Sequence, residues 1–154
     1  RYDKYLRQEL QLTPSELNGF VIFNTEKGDC FHCHGTDMFM DNLFHNNGLD
    51  TEPFLDIGLA KVTDLVSDNG KFKTPTLRNI EFSAPYMHDG RFSTLEQVID
   101  HYNSGLSYSS TIDPLMKKLN IGGLQLTNQE KQDLITFLKT LSDPDFITNP
   151  DFTP

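Results

Sequence analysis

Cys30-Phe31-His32-Cys33-His34 decides how this 154-residue chain is read, because the run holds both of its cysteines. A Cys-x-x-Cys-His run is the attachment signature of c-type haem: each thiol adds to a vinyl group as a thioether, and the adjacent histidine becomes the proximal iron ligand. Two other chemistries use a close cysteine pair. A zinc site wants two further close-set ligands, and no second cysteine pair exists. A thiol redox pair wants a preceding strand in a βαβ setting, whereas helix signals precede Cys30. A disulfide framework would need more cysteines, spread so as to close long loops. The expectation is one covalent haem c on Cys30 and Cys33, with His34 on the iron and His32 facing solvent.

Outward from the motif, three segments carry helix grammar. In Thr13-Pro14-Ser15-Glu16, Thr13 is a cap, Pro14 suits the first helical position and Glu16 completes a capping box. Leu17, Phe20 and Val21 then share one face. Ser93-Thr94-Leu95-Glu96 starts a second helix, with Leu95, Val98, Ile99 and Tyr102 on a stripe and Gly105 beyond its end. A third begins at Thr127-Asn128-Gln129-Glu130, carries Leu134, Phe137, Leu138 and Leu141 at i, i+3, i+4 and i+7, and stops at Ser142-Asp143-Pro144. A short helix from Pro114 to Leu119, capped by Asp113, is also expected. Between residues 35 and 92 helical periodicity gives way to turn signals such as Asn47-Gly48, Asp68-Asn69-Gly70 and Asp89-Gly90. Irregular backbone of that length needs something to pack around, and a large buried cofactor would supply it. Twelve Phe and no Trp fit walls around a flat apolar ligand.

Composition excludes several classes of function. With 36% hydrophobic and 23% charged residues the chain fits one globular domain, residues 1–154. Its longest apolar run, Phe20-Val21-Ile22-Phe23, is four residues, so no segment is a membrane span. Thirteen basic against 22 acidic residues leave a formal charge of −9, the wrong sign for gathering nucleic-acid phosphates. A basic or dipolar protein partner suits that surface better.

If His34 holds one axial position, the other decides between electron transfer and ligand chemistry. The candidates are Met38, Met40, Met87, Met116, His45, His88 and His101. Met38 and Met40 follow His34 too closely for the chain to round the ring edge. Met87 lies in Ser83-Ala84-Pro85-Tyr86-Met87-His88-Asp89-Gly90, where Pro and Asp-Gly set a bend able to aim a side chain at the opposite face. Spacing alone leaves Met87 open between ligand and core filler.

The run Phe72-Lys73-Thr74-Pro75-Thr76-Leu77-Arg78-Asn79-Ile80, then Ala84-Pro85-Tyr86-Met87-His88-Asp89-Gly90-Arg91-Phe92, Thr94-Leu95-Glu96 and His101-Tyr102, resembles the bacterial di-haem cytochrome c peroxidase and MauG-like family. Arg1-Tyr2-Asp3-Lys4-Tyr5-Leu6, Phe44-His45-Asn46-Asn47-Gly48 and Leu126-Thr127 extend the likeness over nearly the whole chain. It resembles the second, C-terminal domain of such proteins, whose high-potential haem transfers electrons. What the resemblance implies is an all-α, class I cytochrome c-like domain with a long loop-rich insertion around one covalent haem, its N- and C-terminal helices crossing near Gly19. Residues 1–12 would be the linker from a missing N-terminal peroxidatic domain. Met87 would be the distal ligand, where MauG itself uses tyrosine, and the metal would sit between His34 and Met87. Arg78 falls in the matched Thr-Leu-Arg-Asn run, and its guanidinium fork suits a haem propionate, although a surface ion pair is the plainer alternative. The implied role is relay of electrons from a small soluble donor protein to a peroxidatic haem that reduces hydrogen peroxide. A domain with its own peroxidase activity and an independent monohaem cytochrome are the other readings. A periplasmic location, a homodimeric parent, and calcium between the two halves of the parent belong to the same implication; no calcium residue is assigned.

Overall fold

Capped helices set the frame. In the computed structural model, which describes residues 1–152, the chain runs through α1 (Tyr2–Leu6), α2 (Pro14–Phe23), α3 (Phe31–His34), α4 (Ala60–Thr63), α5 (Leu95–Ser104), α6 (Asn128–Lys139) and α7 (Pro144–Ile147). The two strands named among the described residues form one antiparallel ribbon, β1 (Phe44–His45) with β2 (Phe72–Lys73), Phe44 facing Lys73 and His45 facing Phe72. No helix among them is long and apolar enough to cross a membrane.

Thr13 and Glu16 close a reciprocal capping box on α2, as do Thr127 and Glu130 on α6. The cap of α5 stands one residue later than its sequence pattern indicates. Thr94 accepts from the Gln97 amide, and Gln97 Oε1 takes the backbone N–H groups of both Ser93 and Thr94. Gly105 ends that helix as expected. Pro144 does more than stop α6: Asp143 caps it into the single turn of α7. The expected helix at 114–119 is instead a 3₁₀ turn at Lys117–Ile121. Asp113 does cap locally, taking the Leu115 amide at 2.8 Å, but its other carboxylate oxygen is held by His45, so the chain turns before it coils.

Helices α2 and α6 cross at Gly19, as anticipated. A Cβ there would lie 2.0 Å from the Asp133 carbonyl oxygen and 2.7 Å from Phe137 Cβ. That contact chooses the inner face of α2: Gly19, Ile22 and Phe23 are buried, while Leu17 and Val21, expected on the core stripe, are exposed. Glycine carries no apolar weight in a periodicity count, which hides the true face. Across the crossing, Leu134 and Phe137 are fully buried, with Leu138 and Leu141 nearly so. Asp133 is buried too, and accepts from Ser15 Oγ (2.5 Å), Asn18 Nδ2 (2.6 Å) and Gln129 Nε2 (3.0 Å), so its charge is met by three donors.

Residues 1–6 pack onto this pair. Arg1 forms a two-pronged ion pair with Glu16 (2.7 and 2.9 Å), and the Tyr2 amide donates to Thr140 O. The Tyr2 ring meets Phe39 and Phe137 edge-on, at 5.4 and 5.7 Å between centroids. Aromatic contacts then run from Phe137 to Phe23 (5.3 Å) and from Phe23 to Phe39 (5.7 Å), which carries the core to the edge of the Cys-x-x-Cys-His segment.

Candidate functional site

The motif occupies one turn of helix, α3, whose His34 amide donates to Cys30 O. Both cysteines are free thiols. Burial first, then the charge of Asp29, pushes the Cys30 thiol up to about 12; burial, then Asp41 and Asp113, pushes Cys33 up to about 11. Such thiols stay protonated, unlike the low-pKa thiolates of redox pairs.

His34 is oriented by the main chain. Its Nδ1 lies 2.6 Å from the Phe39 carbonyl oxygen. A carbonyl only accepts, so Nδ1 carries the proton and Nε2 keeps its lone pair for a metal. Burial lowers the histidine's pKa, against the opposing effect of that hydrogen bond, and so favours the neutral, ligating form. Phe39 itself adopts a left-handed φ of 53°, which turns its carbonyl back to the ring.

Met87 stands in a loop closed by an antiparallel bridge between Tyr86 and Phe92. Gly90 N donates to Met87 O, and Tyr86 Oη to Ile80 O, so Tyr86 is tied elsewhere. Arg91 joins the loop to the segment that follows β1, with bonds to Asp50 (2.9 and 3.0 Å), to Leu49 O and to Asp89. The Met87 Sδ lies 3.7 Å from Asn47 Nδ2, and the same nitrogen lies 3.0 Å from Tyr102 Oη. Burial pushes the Tyr102 phenol up to about 12, with Cys30 and Cys33 both close enough to add to the shift. Asn47 thus links Met87 to Tyr102, a phenol whose proton affinity both cysteines raise.

Arg78 lies beside the His34 turn. Its guanidinium clasps Asp3 at 2.8 and 3.0 Å, donates twice to Asp37 O, and sits 5.5 Å over the Phe39 ring. Four of its five N–H donors are thus engaged, the plainer of the two roles open to it. With Tyr2, Asp3, His34, Asp37 and Phe39 it lines a cleft of about 310 Å³ beside the His34 turn. His32 is about one-quarter exposed, with its Nε2 3.2 Å from Glu26 Oε1 and 3.1 Å from Asp29 Oδ1 and Lys117 in the same cluster, not freely solvated.

The residues present fit a c-type haem: two cysteines on one turn, an imidazole with its Nε2 unprotonated, and a thioether linked through Asn47 to Tyr102. No protein-family model matches the chain. The methylamine utilization protein MauG of Methylorubrum extorquens is 34% identical over 97% of this chain and 41% of its own length. The cytochrome-c peroxidase IdrP1 of a Pseudomonas species is 32% identical over 92% of this chain and 44% of its own. Among solved structures, a MauG-like protein associated with microbial copper homeostasis superposes with a TM-score of 0.88 at 39% identity, over 99% of this chain and half of its own. The chain belongs to the di-haem cytochrome c peroxidase and MauG family. It spans about two fifths of the length of these curated relatives.

Within this family member, sequence reasoning passed over three participants. Asn47 was legible only as half of an Asn-Gly turn, Tyr102 as a helix stripe residue, and Phe39 as an apolar side chain whose contribution is its carbonyl. A side chain that acts across 40 or 55 residues leaves no local spacing to detect. His45, one of the distal candidates, is taken up by Asp41 (2.7 Å) and Asp113 (2.6 Å). His101 is buried, with Nε2 donating to Asn47 O.

Proposed function

We propose that this chain is the electron-transfer domain of a di-haem peroxidase-like protein: a class I cytochrome c-like unit with one haem c attached at Cys30 and Cys33 and axially held by His34 and Met87. The observation that carries this reading is His34, on the helical turn that follows Cys30 and carries Cys33, with its Nε2 left free by the Phe39 carbonyl; the Met87 thioether, linked through Asn47 to Tyr102, offers the second ligand. When bound, the haem supplies one-electron redox chemistry. The chain's own residues fix the imidazole tautomer, aim the sulfur, and wall the site with aromatic and aliphatic side chains. No proton or covalent transfer is asked of them. His/Met ligation raises a reduction potential, which suits a domain that receives electrons before passing them on.

The other half of such a protein would hold the peroxidatic haem that reduces hydrogen peroxide, with residues 1–12 approaching it. A small soluble donor with a basic or dipolar face fits the net charge of −9. A covalently attached haem c supports a periplasmic location, and calcium between the halves and a homodimeric parent belong to the same reading. One remaining N–H on Arg78 suffices for a share in a propionate, with Asp3 as its main partner.

The test is Met87→Ala in the haem-loaded chain. The ferric spectrum should turn from low-spin, with the weak long-wavelength methionine–iron band, to high-spin. The potential should fall by on the order of a tenth of a volt, within the ~0.8 V that axial ligation spans. An unchanged spectrum and potential would remove Met87 as ligand. Peroxide turnover by the unaltered chain with a reduced donor would move catalysis into this domain.

A further inference from the structure

The amide of Asn47 is the most constrained polar group near Met87 that the proposed relay leaves without a role. Its backbone carbonyl accepts from His101 Nε2 at 3.2 Å. The next residue, Gly48, has φ of 69°, donates to Asn46 Oδ1 at 3.0 Å and accepts from Ser107 N at 2.8 Å. Asn46, almost fully buried, donates in turn to Ser109 and Thr111 at 3.0 Å each. The turn therefore has little freedom, and the Asn47 side chain leaves it in a set direction.

A primary amide nitrogen carries two hydrogens. One is directed to Tyr102 Oη at 3.0 Å and the other to Met87 Sδ at 3.7 Å. A thioether sulfur has two lone pairs, so a donor on one leaves the other for a metal. Met87 is also held from behind: its φ is 71°, a conformation that an unbranched L-residue adopts only when surroundings enforce it, and the Tyr86–Phe92 bridge and Arg91 supply the enforcement. The loop thus fixes the Met87 backbone while the amide contacts its sulfur.

We propose that Asn47 is a positioning residue for the sixth ligand: its amide, oriented by Tyr102, ties up one sulfur lone pair of Met87 and so fixes which lone pair faces the iron and how readily the thioether leaves. The inference rests on Met87 as the axial ligand. One property follows. The sulfur should resist displacement by an external ligand, because leaving means giving up the amide contact or dragging the loop.

The experiment uses the haem-loaded chain, with imidazole as the displacing probe, and compares Asn47→Leu, nearly the same size but without a donor, and Tyr102→Phe. Wild type should show the methionine–iron band, which rests on Met87 alone. In Asn47→Leu the imidazole concentration that displaces half the methionine should fall about tenfold, the upper end for one hydrogen bond. In Tyr102→Phe it should fall about threefold. In a Met87→Ala background, Asn47→Leu should leave imidazole affinity within about twofold, which a general loosening of the pocket would not do. An unchanged displacement midpoint in Asn47→Leu, or an equal change in both backgrounds, overturns the positioning role while the Met87 reading stands. A wild-type spectrum without the band, unaltered by Met87→Ala, overturns the ligand reading and this inference with it. Should Asn47→Leu fail to fold, Tyr102→Phe decides by the same comparison in the two backgrounds.

Discussion

Replacing Gly19 with alanine tests whether the α2–α6 crossing holds the fold together and reaches the site. The added Cβ would meet the Asp133 carbonyl oxygen at 2.0 Å and its carbon at 2.6 Å, both main-chain atoms that no rotamer change can move. Restoring an ordinary contact of 3.4 Å requires the helices to part by roughly 1.4 Å. A gap of that size forfeits most of the dispersion between the facing atoms of Ile22, Phe23, Leu134 and Phe137, all buried. Overpacking of this kind costs about 3 kcal/mol, and alanine's better helix propensity offsets about 1, leaving about 2 kcal/mol of destabilisation. For a chain of this length the melting temperature should drop by about 4–8 °C. The assay is thermal unfolding of the haem-loaded variant, followed by far-ultraviolet circular dichroism and by the Soret band. The contacts Phe137–Phe23 and Phe23–Phe39 lead from the crossing to the carbonyl that holds His34, so a shift in reduction potential should accompany the loss of stability. A variant that melts within about 1 °C of wild type would refute the close approach at Gly19.

His45 and Asp133 give two further tests. Burial opposes charge on His45, but its hydrogen bonds to Asp113 and Asp41 outweigh that and leave its pKa raised. The stabilisation it brings is therefore complete below the unfolded value and is lost as pH rises through the folded one. The melting difference between wild type and His45→Gln should close toward alkaline pH, and a difference that widens there contradicts the assignment. Asp133 has its pKa lowered by Ser15 and Asn18, so its contribution is present above the unfolded value and disappears as pH falls through the folded one. Asp133→Ala should strand three donors and lower stability at neutral pH by about 1–3 kcal/mol, read from the urea midpoint. A midpoint equal to that of wild type would mean water satisfies those donors as well.

What could be read from the chain in advance was whatever depends on neighbours in sequence. The caps at Thr13 and Thr127 are local reciprocal bonds between residues three apart, and both stand where the letters put them. At α5 the letters permit two registers, since Ser93 and Thr94 can each cap and Glu96 and Gln97 can each reply. The structure takes the second, which buries Leu95 and Ile99. The inner face of α2 was illegible because its closest contact is made by an absent side chain. Within the site, the motif announced Cys30, Cys33 and His34 through spacing, and the likeness to a family pointed to Met87. Nothing local could have tied Arg78 to Asp3, 75 residues away, or Asn47 to Met87, because those partners are chosen by how the loops are laid over the helices.

The hydrogen bond from His34 to the carbonyl of Phe39 also bears on how this site tolerates drift. The acceptor is main chain, so no replacement of the residue 39 side chain deletes it outright. What evolution must keep is the left-handed backbone that turns the carbonyl inward, and any residue able to hold that shape under the Tyr2 and Phe23 rings would preserve the imidazole's tautomer. The ring's protonation is thereby insulated from most point mutations at position 39. Its weak point lies instead in insertions or deletions between His34 and Phe39, where one residue more or less would point the carbonyl away.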